Sequence, residues 1–256
     1  MAWQTNRMKQ LLREGKAVYS CTVAIPHPNL AEIAGLAGYE CVMLDGEHGT
    51  VSSGTLDAMI LASYAGGSTP IFRAPSLDTT LVKQALDHGA GGILFPHIRT
   101  VEDAKQAVAL CKYRPEGRRG VGPGRPIGYG LGDPKAYVAN ANDNMIVALM
   151  IEEPQAVENL EAIAAVPGID IFNMGPWDLS TAYGFPIEER HPLVVQAFEK
   201  ALKLGQRHGI AVGVSPTSEQ DARDLYRQGA RFFEAVSVES FLAAALSSYR
   251  KACNPG

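Results

Sequence analysis

An apolar, strand-like run followed by a helical pattern recurs eight times along this chain of 256 residues, with mostly short connections. The runs fall near 17–25, 41–45, 69–74, 91–96, 146–151, 169–174, 210–214 and 232–238. Near-continuous apolar strands are buried on both faces, which in practice means a parallel sheet covered by helices. Helical patterns occupy 29–37, 53–65, 79–88, 101–111, 154–166, 191–208, 218–228 and about 240–252. Several end on glycine, as at Gly38, Gly66-Gly67 and Gly89, and the fourth starts behind a Thr100-x-x-Asp103 pair. Eight β→α units predict a closed (β/α)8 TIM barrel, with an extra N-terminal helix at 6–14. An open doubly wound sheet would want Gly-x-Gly-x-x-Gly after its first strand, and the segment after Ile25 has none. One domain, 1–256, is expected.

Composition narrows the class. Net charge is −4, and the 23 basic residues are scattered with no stripe or aromatic interleaving, so no nucleic-acid partner is expected. No run approaches the roughly 18 apolar residues of a membrane span, and the polar N-terminus lacks the apolar core of a signal peptide. Cys21, Cys41, Cys111 and Cys253 are far apart, and three lie in or beside apolar segments. Buried, reduced thiols in a cytoplasmic protein are the expectation. The one long connection, 112–144, carries a glycine- and arginine-rich stretch. Loops of that length commonly serve as lids or linkers, and part of this one is expected to cross towards the active face.

In such a barrel the carboxyl ends of the strands form the active face. Strand two ends at Asp45, with Glu47 and His48 just beyond; strand three carries Arg73; strand four ends Phe95-Pro96-His97. Strand five ends Ile151-Glu152-Glu153, and strand six runs into Gly175-Pro176-Trp177-Asp178. A charge in a strand buried on both faces is costly unless paired or ligating. Arg73 and Glu152 therefore mark either a structural ion pair or a site. Glu152 and Asp178 together could hold a divalent cation. Two carboxylates with open positions suit Mg²⁺ or Mn²⁺, with Co²⁺ a third candidate, better than zinc. No predicted strand contains a lysine for a Schiff base. A hard-metal site, one arginine and a histidine near acids suit the stabilisation of an enolate.

Leu44-Asp45-Gly46-Glu47-His48, Arg73, Arg119-Gly120-Val121-Gly122, Ile151-Glu152 and Gly175-Pro176-Trp177-Asp178-Leu179-Ser180 occur in the order seen in the HpcH/HpaI aldolase family, which the chain resembles from about 17 to 252. The resemblance implies metal-dependent (class II) cleavage of a 4-hydroxy-2-oxo acid to pyruvate and an aldehyde. It implies Glu152 and Asp178 as metal ligands and a His48–Asp45 acid/base dyad. Arg73 would hold the enolate oxygen, and backbone amides of Trp177 and Asp178 would receive the pyruvate carboxylate. It also implies a final helix exchanged between subunits of a homo-oligomer, commonly a hexamer built as a trimer of dimers, with Asp87 near the partner's site. Two positions depart from the family pattern: Met150 stands where glutamine is frequent, and Trp177 where alanine is common. Oxaloacetate decarboxylation through the same enolate is the nearest alternative chemistry; a non-catalytic binding barrel is the alternative from another class. Glu47 is left without a catalytic role, with a bond to neighbouring backbone expected.

Overall fold

The computed structural model describes residues 5–254; the first part of the polar N-terminal stretch, 1–4, and the last two residues lie outside the described residues. Eight parallel strands follow one another round a closed ring: β1 (Val18–Val23), β2 (Cys41–Asp45), β3 (Thr69–Arg73), β4 (Gly92–Phe95), β5 (Ile146–Ile151), β6 (Ile171–Met174), β7 (Ala211–Val214) and β8 (Phe232–Ser237). The closing β8–β1 pair is parallel and carries a register shift between Ser20 and Cys21. The helices are α1 (Arg7–Arg13), α2 (Pro28–Leu36), α3 (Ser53–Ala65), α4 (Thr79–His88), α5 (Val101–Cys111), α6 (Pro134–Asn144), α7 (Pro154–Glu158), α8 (Leu160–Ala164), α9 (Pro176–Ala182), α10 (Pro192–His208), α11 (Glu219–Gln228) and α12 (Val238–Ala252). This is the expected (β/α)8 barrel with an added N-terminal helix.

Local chemistry sets the boundaries. Ser52 and Thr55 form a reciprocal capping box at the start of α3, and Thr100 and Asp103 do the same for α5. Gly89 closes α4 at φ 100°, a left-handed conformation that costs a side chain dearly.

Alternation along each strand separates two buried clusters. Val42 and Leu44 pack outwards under the helices, while Cys41 and Met43 pack inwards with Val18, Ile71, Ile146, Ile171 and Phe232. The inward phase continues upwards to Thr22, Asp45, Arg73, Glu152, Asn173 and Glu234. The barrel is therefore filled with hydrocarbon below and with polar groups above. At the N-terminal end α1 closes the ring. Lys9 on it is 2.9 Å from Asp170 and also donates to the Met145 carbonyl.

Three segments differ from expectation. The predicted helix 154–166 is broken into α7 and α8 at Asn159, whose amide donates to the Arg99 carbonyl. The predicted loop 112–144 holds a 3₁₀ segment (Arg125–Gly130) and α6. Asp133 caps α6 and Pro134 opens it, but the helix buries only Ala141, so it shows little apolar periodicity. The stretch that precedes this helix packs on α4. Arg119 reaches the Leu86 carbonyl and Arg125 reaches Asp57, which bind it to the flank formed by α3 and α4. Finally, α9 grows directly out of the strand-six motif.

No helix among the described residues is long and apolar enough to cross a membrane. The cysteines are free thiols. Burial pushes Cys21 up to about 11 and Cys41 and Cys111 up to about 12, so these three stay protonated at neutral pH.

Candidate active site at the strand ends

Asp45 and Arg73 are register partners at the tops of β2 and β3. Arg73 Nε donates to Asp45 Oδ1 at 2.9 Å and Nη2 to Oδ2 at 2.5 Å, a two-pronged pair that fixes the guanidinium plane. The same Oδ1 accepts the backbone N–H groups of Glu47 and His48. Burial alone would push the Asp45 carboxyl up. The Arg73 hydrogen bonds and charge, with the two amides, outweigh it and hold Asp45 below its usual range. Burial likewise works against the Arg73 cation, but Asp45, Glu234 and Glu47 together raise its pKa.

The expected Asp45–His48 side-chain dyad is not formed. Asp45 is fully engaged by Arg73 and backbone, so its contact with His48 is through the main chain. The His48 ring is 69% exposed, and its nearest acid is Glu47, 3.8 Å from Nε2. Glu47 is the hub that the sequence reading left without a catalytic role. Its carboxylate lies 3.5 Å from Arg73 Nε and 3.4 Å from His97 Nε2 as well. Burial pushes this carboxyl up, against the pull of Arg73, His48 and His97.

His97 is the second residue the site adds. It follows β4 with φ 55°, a strained conformation for a residue with a Cβ. Non-glycine residues held this way cost about 1–3 kcal/mol and concentrate at functional sites. Its N–H donates to Glu152 Oε1 at 2.6 Å, and its ring Nδ1 lies 3.3 Å from the same oxygen. A histidine directly past a buried strand was visible in the sequence; only the fold shows it reaching both Glu47 and Glu152.

Glu152 is 3% exposed. Burial pushes its carboxyl up, opposed by His97 and reinforced by Glu47 and Asp178. Gly175 leaves room for it, since a Cβ there would come within 2.7 Å of Glu152 Cβ. Asp178 lies in the first turn of α9. Among the described residues no group of three or more His, Cys, Asp and Glu side chains forms a preformed metal cage. Buried Glu152 and exposed Asp178 are nevertheless a hard-oxygen donor set, and the repulsion that Asp178 exerts on the Glu152 carboxylate is what a divalent cation would relieve. The residues fit such an ion.

Trp177 is 58% exposed, and its indole N–H donates to Glu189. Its backbone N–H and that of Asp178 sit in the first turn of α9, where amides lack an intrahelical acceptor. Met150 is part of the inner apolar cluster. Asp87 stands apart from the strand-end group, 3.6 Å from Arg119 on the flank of the barrel. One acid went unnoticed from sequence: Glu234 of β8 points inwards, bonded to Thr22 and Asn173.

With this geometry in place, the comparisons are decisive. The family model described as HpcH/HpaI aldolase/citrate lyase matches residues 20–245. The chain belongs to that family. It is 34% identical over 246 residues to the 5-keto-4-deoxy-D-glucarate aldolase of Shigella boydii serotype 18, covering 96% of this chain and 94% of that one. Among solved structures, an HpcH/HpaI aldolase/citrate lyase family protein from Burkholderia cenocepacia J2315 superposes with a TM-score of 0.89. It is 32% identical and covers 97% of this chain and 99% of its own. An HpcH/HpaI aldolase from Desulfitobacterium hafniense DCB-2 gives the same TM-score at 26% identity, covering 97% of each chain. The expected family and lyase class agree with these findings: this HpcH/HpaI-family chain is an aldolase-type enzyme that acts on small molecules with a divalent cation.

Proposed function

We propose that the chain reversibly cleaves a 4-hydroxy-2-oxo acid into pyruvate and an aldehyde. The observation that carries this reading is Arg73, a buried guanidinium held rigid by Asp45 within the same ring of strand ends as Glu152 and Asp178. A fixed cation aimed at a developing oxyanion stabilises it without reorganising during the reaction. Glu152 and Asp178 would hold the divalent ion, Mg²⁺, Mn²⁺ or Co²⁺, which supplies Lewis acidity to the 2-oxo acid when bound.

The chain's own residues account for the other requirements. The substrate carboxylate is received by the free amides of Trp177 and Asp178 at the start of α9. His48, exposed to solvent and backed by Glu47 rather than by Asp45, takes the proton of the C4 hydroxyl. The C3–C4 bond breaks, the aldehyde leaves, and the electron pair spreads over C3 and the 2-oxo oxygen facing Arg73. Proton return to C3 yields pyruvate. His97, placed between Glu47 and Glu152, orients both carboxylates.

The proposed assembly exchanges α12 between subunits of a homo-oligomer, in a hexamer built as a trimer of dimers. None of the α12 residues is buried within one chain, and Phe241, Leu242, Leu246 and Tyr249 leave a long apolar stripe exposed. The whole chain is taken as one domain, and its buried free thiols suit a reducing, cytoplasmic setting.

Chelation tests the reaction. Dialysis against a chelator should abolish cleavage of 4-hydroxy-2-oxo acids, and Mg²⁺, Mn²⁺ or Co²⁺ should restore it. Full turnover by the chelated protein would refute the metal-dependent mechanism.

A further inference from the structure

Beside Arg73, on the side away from Glu152, a cleft of about 410 Å³ opens between the ends of β1, β7 and β8. Asp45 and Arg73 form part of its wall, so it is continuous with the reacting centre. Thr22, Ser215 and Ser237 supply hydroxyls to its lining, and Glu234 and Glu239 supply carboxylates. Among the described residues no lysine, histidine or second arginine lines it.

Glu234 is held through both of its carboxylate oxygens. It occupies the inward phase of β8 above the buried Phe232. Its Oε1 is 3.3 Å from Thr22 Oγ1, and its Oε2 accepts from Asn173 Nδ2 at 3.0 Å. Asn173 itself is fully buried. The register shift between β1 and β8 falls immediately after the Ser20–Glu234 pair, and such irregularities often re-aim side chains beside active sites. Glu239 is engaged differently: its Oε1 accepts the backbone N–H groups of Ala24 and Ile25, tying the start of α12 to the end of β1.

We propose that this cleft receives the tail of the aldehyde half of the substrate, and that Glu234 is its specificity-determining residue, selecting tails that end in hydroxyls over tails that end in a carboxylate. The inference rests on the aldolase reading above and adds the substrate class. A hydroxylated tail can donate to Glu234 and exchange hydrogen bonds with Thr22, Ser215 and Ser237. A carboxylate tail meets Glu234, Glu239 and Asp45, while the single arginine is already engaged by Asp45. Carboxylate oxygens only accept hydrogen bonds, so an anionic tail finds neither charge nor enough donors there.

The test is the ratio of kcat/KM for aldol addition of pyruvate to D-glyceraldehyde and to succinic semialdehyde, measured with added Mn²⁺. The wild-type protein should favour glyceraldehyde by about tenfold or more, and Glu234→Gln should narrow the ratio by about tenfold, as expected for removal of one like charge at close range. Ser215→Arg provides a second variant that leaves Glu234 untouched; by adding a cation to the wall it should also shift the ratio towards succinic semialdehyde. A wild-type preference for succinic semialdehyde, or a ratio unmoved in both variants, overturns the assignment of Glu234. Exchange of the pyruvate methyl protons in D₂O by the wild-type protein distinguishes the two levels. If exchange occurs and the ratio fails to respond, only the cleft assignment falls; if no exchange occurs, the aldolase reading falls and the cleft assignment with it.

Discussion

At the N-terminal end of the barrel a buried lysine and an aspartate satisfy each other. Lys9 bonds to Asp170 and to the Met145 carbonyl, while Asp170 also accepts the Val147 N–H. Burial lowers the Lys9 pKa, and Asp170 works against that fall. At the C-terminal end Asp45 and Arg73 make a similar closed pair, but beside them stand the buried Glu152 and the half-buried Glu47, whose carboxyls are both pushed up by desolvation. The two ends have the same desolvation problem with different solutions. The lower end is solved within the chain; the upper end is left partly unsolved, which is the arrangement that a cation and a substrate can complete.

Variants that remove one charge at a time test this contrast. His48→Ala, at the open end, should lower turnover about 10²–10⁴-fold while changing stability by less than about 0.5 kcal/mol, because the ring is exposed. Turnover near that of the wild type would remove His48 from the proton-transfer role. Lys9→Met, at the closed end, should cost about 3–5 kcal/mol by leaving Asp170 without its partner, read by denaturant unfolding. If unfolding were unchanged, the lower pair would have no structural weight. Glu152→Gln should cut kcat/KM about 10²–10³-fold, yet the metal-free protein should be no less stable, since a disfavoured buried carboxyl has been removed. A large loss of stability would make Glu152 a structural partner rather than a ligand.

Asp45→Asn is the smallest of these effects and carries a pH signature. The folded Asp45 carboxyl lies below its unfolded value, so its stabilisation is complete above about pH 4, the unfolded pKa. It is lost as pH falls through the folded value. The variant should be less stable by about 2 kcal/mol at pH 7, with the two unfolding curves converging in acid. A difference that persisted undiminished below the folded pKa would mean that the Asp45–Arg73 charge pair is not its source.

The eightfold alternation was legible because parallel strands covered on both sides must be apolar, and because glycine and hydroxyl caps punctuate helices locally. The bounds of β2, α3, α4, α5 and β5 follow directly from such signals. Helix α6 was hidden by its polarity, and the break at Asn159 by an apolar pattern that runs on through it.

Arg73 and Glu152 could be singled out in the sequence because charge in a buried strand is costly and needs a reason, and Asp45 and Asp178 because they stand at or just past the ends of such strands. Their partners could not. Which acid backs His48 depends on Asp45 being occupied by Arg73, a contact between neighbouring strands 28 residues apart in sequence. The reach of His97 to both Glu47 and Glu152 depends on a positive φ that no residue pattern announces. Glu234 becomes meaningful only when ring closure brings β8 against β1 and aims its carboxylate at the same opening as Arg73. Residue type and spacing determined which charges had to be explained. Tertiary structure decided who explains them, because pairing energies fall off over a few ångströms and only the closed barrel sets those distances.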